Sequence, residues 1–538
     1  MGNPVASPAA SPDAPVTREG LPEEAQGLSL RQWAVILTAS IGAMLEVIDT
    51  SITNVALIHL QANLGATLAE VGWVVTGYAM ASVIMIPLSG WLSEAIGHRT
   101  YFIFCLIGFT ASSVLCGLAP NLLTLVLARI LQGLLGGGLL PKAQAIMFES
   151  VPKTFQGLAQ GVFGIVVLAG PTLGPTLGGL LTDSLGWRWI FFINVPFGVL
   201  TVLMALTWMD PDRRERSLSS IRRRVDWIGI TLLALGLGGL QLVLEQGHQY
   251  DWWADAGIRQ LTVMVVVVLP VFVLWELRRP DPAVDLRVLR HRSLAAGSLF
   301  SLVLGMGLYG TVFVVPIFAQ SVLGYTATQT GLLMLPGALA SAATMAVLGK
   351  MSSRFDPRLL ITLGALLMVA TMASLATIGP DTGESSLFWP LIFRGVTTVM
   401  MFLPLSLATL GPLPREAVGA GSGFYNLTRQ LGGTFGIAVL TVVLDHQRAV
   451  HRATLVEHLS STDPLVQQRL LGMQAWLSQR EGVGQVTDQA LALLSHQVDR
   501  QAALLAFSDV FKVVGLVFLL AIPLVVLLGR PAAVEPSP

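Results

Sequence analysis

The chain has 538 residues, of which 53% are hydrophobic and only 12% charged, and its mean hydropathy is +0.69. Soluble domains carry about 25% charged residues, so this composition excludes an ordinary soluble protein and indicates many membrane spans. Basic and acidic residues balance at 32 each, which gives no reason to expect a nucleic-acid partner. The sequence shows no metal-ligand cluster, phosphate-binding loop or nucleophile motif, so we expect no cofactor, no metal and no enzymatic activity.

Apolar segments follow one another along almost the whole chain after a first stretch, 1–30, that is rich in proline, alanine and serine. We predict that this first stretch is a disordered cytoplasmic tail. About fourteen of the later segments hold the roughly 20 apolar residues that a spanning helix needs. Their centres lie near Met44, Ala81, Gly108, Gly136, Leu168, Leu200, Leu235, Val267, Gly307, Leu339, Leu367, Val399, Ala438 and Leu516.

Basic residues are concentrated in the short loops on one side of the predicted membrane. The loop 211–225 carries six arginines and the loop 281–294 is also basic, whereas the short loops on the other side hold almost no lysine or arginine. The positive-inside rule therefore predicts that both termini, including a short tail 531–538, are cytoplasmic.

One long loop, 446–506, lies on the outer side before the last span. Its pieces DPLVQQRLLGMQAWLSQR and DQALALLSHQVDRQAALLAF show helical periodicity with one apolar face. We predict either a helical cap over the membrane domain or a docking surface for an external partner.

The first segment carries two acids, Glu46 and Asp49, which share a helix face because they are three residues apart. A charged side chain at the membrane centre costs about 2.5–3.5 kcal/mol on insertion scales, so such residues face a cavity or a partner. Crowding two carboxyls in a low dielectric favours protonation of at least one. We interpret the pair as a proton-coupling site, with Asp49 the stronger candidate. The alternative is a structural ion pair with a cation on a neighbouring helix.

Three arginines, Arg129, Arg394 and Arg429, also lie within predicted spans, and the core of the second half contains no acid. Arg129 is placed either to couple to Asp49 or to form a static buried pair that fixes helix packing. The thirteenth segment is unusually polar, and we expect its polar face to line the substrate pathway. The predicted pathway residues are Asn54, Gln132, Tyr309, Asn426, Arg429 and Gln430, although Tyr309 also fits lipid-facing packing.

Two further patterns predict moving or sealing elements. In GPTLGPTLGG the glycines leave one helix face bare for close packing and the prolines bend the helix. The turn GWLSEAIGHR is expected to latch the inner gate. The predicted gating or hinge residues are Gly90, Gly97, Arg99, Gly170, Pro171, Gly174, Pro175 and Gly178. Glu245, near the outer end of the seventh segment, is expected to be a solvated surface acid.

The sequence contains an internal repeat. Val151–Gly161 aligns without gaps with Leu413–Gly423, and Gly90–Arg99 aligns with Gly349–Arg358. Both alignments place segments two to five over segments ten to thirteen in the same orientation, which is typical of two six-helix halves related by an axis along the membrane normal. The predicted divisions are a first bundle 31–210, an inserted helix pair 226–280 and a second bundle 295–530.

These motifs resemble those of the major facilitator superfamily, and within it the fourteen-span drug:proton antiporters of EmrB/QacA type. The resemblance rests on LEVIDTSITNVAL, GWLSEAIGHRTYF, LARILQGLLGGG, GPTLGPTLGG and WRWIFFINVPFG, although Glu94 and His98 depart from the family pattern. It implies an all-α integral membrane protein with a two-bundle fold of 6 + 6 helices, two extra helices between the halves and about 14 spans.

The resemblance also implies a function: secondary active multidrug efflux of amphipathic or cationic compounds in exchange for protons, across a bacterial inner membrane. It points to Asp49 as the family's acid and to Arg129 as a residue that handles protons. The EmrB-like outer loop suggests a periplasmic adaptor and an outer-membrane channel as partners. Two alternatives stay open: a metabolite or siderophore transporter of the same fold, and a membrane-embedded sensor or enzyme.

Overall fold

The structure, a computed structural model, describes residues 27–212, 225–377, 379, 384–459, 463–478 and 486–528. Most of the predicted tail 1–30, most of the basic loop 211–225 and the tail 531–538 lie outside these residues. Within the described ranges the chain is helical and contains no strand.

The helices used below are numbered in chain order. They are α1 (Leu30–Leu64), α2 (Leu68–Ile96), α3 (His98–Leu118), α4 (Leu122–Ser150), α5 (Gln156–Ser184), α6 (Trp189–Trp208), α7 (Trp227–Gln246), α8 (Ala256–Arg278), α9 (Arg292–Ser321), α10 (Ala327–Met351), α11 (Pro357–Leu375), α12 (Glu384–Leu410), α13 (Arg415–Glu457), α14 (Pro464–Ser478) and α15 (Val486–Ala521). Local breaks interrupt α4 at Gly137 and Gly138, α6 at Ile193, and α7 at a π-helical turn, Ala234–Gly238.

Among the described residues, thirteen of these helices are long and apolar enough to cross a membrane. They are all of the numbered helices except α5 and α14. Helix α5 has 29 residues, which at 1.5 Å per residue is about 43 Å and exceeds the roughly 30 Å of a bilayer core. With α5 the count reaches the predicted fourteen, and every predicted centre lies within one of these spans.

The spans form two six-helix bundles. In the first bundle α1 packs along α5 and α2 along α4, and in the second α9 packs along α13 and α11 along α12. The bundles meet along two seams, α5 against α10 and α2 against α13. Because the repeat pairs the second span with the tenth and the fifth with the thirteenth, each seam is the symmetry mate of the other.

Glycines of the repeated motifs bring the seams into backbone contact. A Cβ atom added to Gly90 on α2 would lie 2.9 Å from the Cα of Ala420 on α13. A Cβ atom added to Gly161 on α5 would lie 3.2 Å from the Cα of Gly349 on α10. Both contacts lie at the end of the bundles that carries the basic loops, here called the inner end, and they hold the halves together there.

The inserted helices α7 and α8 lie against one seam. Helix α7 contacts both α2 and α13, whereas α8 packs mainly on α7. Much of α8 faces outward with exposed apolar side chains, as expected for a lipid-facing helix. The inserted pair therefore touches both bundles through α7.

At the outer end the last helices extend beyond the membrane. Helix α13 has 43 residues, or about 64 Å, which is twice the bilayer core. Its outer part pairs with α15 through Arg452 and Asp499, 2.7 Å apart, and α14 packs on α15. Both pieces of the outer loop that were predicted to be helical are helical.

Candidate functional site

Asp49 on α1 is the centre of a buried polar cluster in the first bundle. Its side chain is only 1% exposed, and its carboxylate lies 2.5 Å from Arg129 Nη1. Asn194 of α6 donates to the same carboxylate over 2.7 Å, and Gln132 of α4 donates over 3.2 Å. A carboxylate that receives a guanidinium and two amide hydrogen bonds is stabilised in its charged form. Both carboxylate oxygens of Asp49 are therefore occupied by donors from α4 and α6.

Arg129 is held through its Nε and Nη1 atoms. Its Nε donates to the backbone carbonyl of Val74 over 3.1 Å, and Nη1 also donates to Gln132 over 2.8 Å. The guanidinium lies 4.2 Å from the ring centroid of Tyr78, within the range of a cation–π interaction. These contacts fix α4 against α2 and α1, and they leave one nitrogen, Nη2, buried without a partner among the described residues.

Glu46, one turn before Asp49 on α1, has a different environment. It is 7% exposed, accepts a 2.9 Å hydrogen bond from the backbone N–H of Leu140, and lies 3.5 Å from Ser82 Oγ. Within the described chain no lysine, arginine or histidine lies within ion-pair distance of it, although the charge of Arg429 on α13 acts on it across the interface. Glu46 is thus a buried carboxyl with only weak support for its charge.

The sequence places Leu140 there because α4 breaks at Gly137 and Gly138. The break starts a new helical segment, Leu139–Ser150, whose first turn has free backbone N–H groups. The positive end of that segment faces Glu46, and its dipole supplies a partial charge in place of a full ion pair.

The two arginines buried within spans of the second bundle have no acidic partner among the described residues. Arg394 Nη1 lies 3.4 Å from the hydroxyl of Thr311, and its Nε has no partner among the described residues. Arg429 donates to Asn426 over 2.5 Å and lies 5.2 Å from the ring centroid of Phe402. Its Nη1 is also buried and unpartnered within the described ranges. Two guanidinium groups therefore face the interior with unused donors.

A hydrogen-bond network joins the bundles between these charged groups and the inner end. Gln144 on α4 donates to Ser406 on α12 over 3.1 Å and receives a 2.6 Å bond from Asn426. Ser406 in turn donates to Gln160 on α5 over 3.2 Å, and Ser422 on α13 lies 3.5 Å from Gln144. At the repeat offset Gln160 corresponds to Ser422, so the network is nearly two-fold symmetric, like the seams.

The predicted bare face of α5 packs on α1. Cβ atoms added to Gly170 and Gly174 would lie 2.6 Å from Val47 and 2.2 Å from Ser51, respectively. Ser51 Oγ donates to the backbone carbonyl of Pro171 over 3.1 Å. This glycine face, which continues to Gly178, holds the acid-bearing helix close to the seam helix α5. The hinge role predicted for it, and for Pro175, stays a prediction.

The turn between α2 and α3 is tied to the end of α6. Gly97 has φ +101°, a left-handed region that favours glycine, and it offers no side chain to cap α3. Asp212, beyond α6, supplies that cap: it accepts from Arg99 N over 3.0 Å and Thr100 N over 2.9 Å. Partial burial raises the pKa of Asp212, but these hydrogen bonds outweigh it and hold the pKa below its usual range.

Not all predicted site residues meet. Asp49, Arg129 and Gln132 meet in one cluster, whereas Glu46, one turn away, has other partners; Asn426 and Arg429 face this side across the interface. Asn54 is exposed further out on α1, and Tyr309 packs against Gly433. For Gln430 the described contact is a backbone bond, because its carbonyl accepts from Thr434.

Several members of the site were missed from the sequence. They are Asn194, Gln144, Gln160, Ser406 and Ser113, whose hydroxyl accepts from Gln132 and Asn194; all are uncharged polar residues inside apolar segments. That position alone was the available signal, because a polar group buried in a membrane requires a partner.

The two bundles, the seam between them and the buried polar site together define a membrane transporter fold. Residues 39–437 match the family described as Major Facilitator Superfamily, and the chain belongs to that superfamily.

Curated relatives extend the match. The multidrug export protein EmrB of Escherichia coli K12 is 33% identical over 496 residues, which cover 91% of this chain and 94% of that protein. The fatty acid resistance protein FarB of Neisseria gonorrhoeae is 32% identical over 92% of this chain and 96% of FarB. The predicted resemblance to EmrB-type transporters is confirmed.

Solved structures share the fold. The human organic anion transporter MFSD10 aligns with a TM-score of 0.59 at 14% identity, over 92% of this chain and 99% of that chain. The proton:xylose symporter XylE aligns with a TM-score of 0.57 at 15% identity, over 92% and 94%. At such identities the likeness concerns architecture alone.

Proposed function

We propose that this protein is a proton-coupled multidrug efflux transporter that moves amphipathic or cationic toxic compounds out of the cytoplasm by alternating access. Relatives at 29–33% identity are named as multidrug export or drug resistance proteins, which supports export. Two bundles with a polar site at their interface are the architecture on which alternating access operates. The observation that carries the coupling is Glu46, a buried carboxyl without an ion-pair partner among the described residues.

The two acids of α1 have different roles in the transport cycle. Asp49 keeps its ion pair with Arg129, because removing the partner of a buried charge is costly, and the pair holds α1, α2 and α4 together. Glu46 exchanges the proton, because it lacks such a partner and stands at the interface between the bundles. Protonation removes its attraction to Arg429 on the opposite bundle and so weakens one contact between the halves.

Proton entry provides the driving force. Each charge that crosses the membrane potential contributes about 2.3 kcal/mol per 100 mV, and the pH gradient adds to this. The inner seams at Gly90 and Gly161 must separate for cargo to enter from the cytoplasm. They close again once Glu46 has lost its proton and can attract Arg429.

The arginines of the second bundle favour a second class of cargo, amphipathic carboxylates. Arg394 and Arg429 each retain a buried donor without a partner in the described chain, and a guanidinium binds a carboxylate well. A relative at 32% identity is named a fatty acid resistance protein. Cationic cargo would instead compete for Glu46, so the charge of the cargo decides which side of the interface binds it.

For location and partners we propose the inner membrane of a bacterium, with both termini cytoplasmic, and docking of a periplasmic adaptor on the outer helices. Support comes from the lengths of α13 and α15 and from the apolar side chains that α14 exposes. Leu465, Leu471 and Trp476 of α14 are 74%, 64% and 50% exposed. An outer-membrane channel would then complete the export path.

The direct test is transport in proteoliposomes with an imposed pH gradient. Glu46→Gln is expected to abolish proton-driven accumulation while the protein still binds carboxylate cargo and inserts normally. Asp183→Asn, which changes an exposed acid on α5, is the matched control and should transport like the wild type. Full proton-driven transport by Glu46→Gln would remove Glu46 as the coupling group.

Cargo is tested in the same vesicles with a lipophilic cation and a medium-chain fatty acid. Arg394→Gln is expected to lower transport of the fatty acid at least tenfold and to leave cation transport within a factor of two to three, because Arg394 has no role in the proposed coupling. Equal loss of both would show that Arg394 is structural and does not select cargo.

A further inference from the structure

A second polar cluster lies on the inserted helix α7, away from the site described above. Gln241 is fully buried and Gln246 is 4% exposed, and Glu245 lies between them, half-buried. The expectation that Glu245 is a solvated surface acid is therefore wrong. Its hydrogen-bond partner Gln241 is on α7 itself, and Gln241 and Gln246 reach the two bundles.

The hydrogen bonds of this cluster reach both halves of the transporter. Gln246 Nε2 donates to Thr76 Oγ1 of α2 over 3.2 Å. Gln241 Nε2 lies 2.7 Å from Glu245 Oε1 and 3.1 Å from Thr434 Oγ1 of α13. Thus α7 connects the first bundle at Thr76 with the second bundle at Thr434.

The contacts of Gln241 fit the ionised form of Glu245. Its Nε2 atom donates to the carboxylate and also lies within hydrogen-bond distance of Thr434 Oγ1. An ionised carboxylate is an acceptor only, so this arrangement suits the charged form. A protonated Glu245 would also be a donor, and the Gln241 amide would then be free to turn so that its oxygen accepts from the acid.

No cation balances that charge in the described ranges. The helices packed against α7 carry these charged or titratable groups near Glu245: Tyr78 and Glu70 on α2, Arg259 on α8, Arg429 and Asp445 on α13, and His248 just beyond α7. Each of them has a different partner. Tyr78 packs on Arg129, Arg429 bonds Asn426, and Arg259 bonds a backbone carbonyl, while Glu70 caps α2 and His248 lies 2.9 Å from Asp445.

Two further features favour a site that binds and releases a proton. The Oε1 atoms of Gln241 and Gln246 are both buried and unpartnered among described residues, so the cluster holds acceptors that lack a donor. A proton on Glu245 supplies one. A π-helical turn, Ala234–Gly238, immediately precedes the cluster, and such turns concentrate at functional sites.

We propose that Glu245, with Gln241 and Gln246, is a second proton-binding site, which clamps the outer halves of the two bundles together when it is ionised. The inference rests on the proposed function, because a clamp matters only if the bundles move apart. Protonation from the outer side would reverse one hydrogen bond in the cluster and loosen the link between Thr76 and Thr434. The outer end would then open where protons are taken up and cargo is released.

The test follows the outer opening directly and uses no cargo. Spin labels at Asn63→Cys on α1 and Ser321→Cys on α9 report the distance between the halves at the outer end; both positions are exposed, whereas the native cysteines are buried. In nanodiscs the wild type is expected to shift toward longer distances between pH 8 and pH 5. Glu245→Gln should show the long distances at both pH values.

Two variants distinguish proton binding at Glu245 from the hydrogen-bond link between the bundles. Thr434→Val removes the link to the second bundle, so it is expected to give long distances at pH 8 but to take up as many protons as the wild type in a pH-jump measurement. Glu245→Gln is expected to take up one proton fewer. Glu70→Gln, an acid-to-amide change in which glutamine can still cap α2, should behave like the wild type.

The outcomes distinguish the two proposals. If the wild type opens at low pH and Glu245→Gln opens with the same pH dependence, the second proton site is wrong and the transport proposal stands. If the distance in the wild type is the same at every pH, the second proton site is wrong, and transport by Glu46→Gln in proteoliposomes decides the transport proposal separately. Normal proton uptake by Glu245→Gln would also overturn the second site.

Discussion

The two halves of this transporter share a scaffold but differ in chemistry. Arg129 and Arg394 occupy equivalent places, yet Arg129 binds a carboxylate at 2.5 Å whereas Arg394 reaches only a hydroxyl at 3.4 Å. The features that both halves keep are contacts between backbones and small residues, as at Gly90 and Gly161. The repeat therefore preserves how the bundles pack and move, and the first half alone carries the acid chemistry.

The turns after the second span of each half also share one backbone contact and differ in their side-chain contacts. Arg99 and Arg358 are equivalent, and each donates to a backbone carbonyl at the end of the sixth span of its own half, Leu206 and Leu528. The caps next to them differ. Asp356 lies in its own turn and caps α11, whereas Gly97 occupies the equivalent position in the first half. There the cap comes from Asp212, more than a hundred residues along the chain.

The largest effect is expected from breaking the buried ion pair. Arg129→Gln leaves Asp49 charged and unpaired, which should cost about 3–5 kcal/mol and abolish transport. Arg394→Gln removes one long hydrogen bond and should cost about 1 kcal/mol or less. Thermal unfolding in detergent, measured beside transport, compares the two. Equal losses would mean that the halves are chemically equivalent after all.

The fold could be predicted from the sequence because each pattern that indicates it involves many residues. The fourteen apolar segments, the basic loops and the repeats would all still be recognised if a single residue were misjudged. The site was predicted only in part. Glu46 and Asp49 were expected to act together, but a break in α4 gives Glu46 a backbone partner while Asp49 takes the arginine.

Contacts between distant segments account for what was missed. Gln144, Gln160 and Ser406 give no signal on their own, because their importance comes from meeting across a seam. Glu245 was misjudged for the same reason: the sequence shows an acid near a helix end but not the threonines on two other helices that bind near it. Side-chain partners from separate bundles are fixed by tertiary packing, which short-range patterns do not encode.

The seams should respond to a single methyl group. Gly90→Ala places a Cβ 2.9 Å from backbone atoms that cannot turn aside, so the inner end should open and the unfolding free energy should fall by about 1–3 kcal/mol. Gly161→Ala, at 3.2 Å in the mate seam, should act in the same direction but less. Gly72→Ala, with nothing within 4 Å, is the control. Thiol accessibility at the inner end measures the opening; a larger effect at Gly161 would contradict the order.

The smallest expected effect concerns the two caps. Asp212→Ala leaves the first turn of α3 without its acceptor, and Asp356→Ala does the same for α11, each costing about 1 kcal/mol at neutral pH. The pKa of Asp212 is lowered by folding, so its contribution is complete above the ordinary value of 3.8 and is lost as the pH falls through the lower value in the folded protein.

Loss of the two helix caps should destabilise different parts of the chain. Asp212 joins the start of α3 to the chain beyond α6, so Asp212→Ala should also raise hydrogen exchange at the inner end of α6, whereas Asp356→Ala should affect α11 alone. Exchange measured by mass spectrometry at pH 7 compares the two variants. If exchange at α6 is unchanged in Asp212→Ala, the first half is capped as locally as the second. The difference between the halves would then be confined to their buried charges.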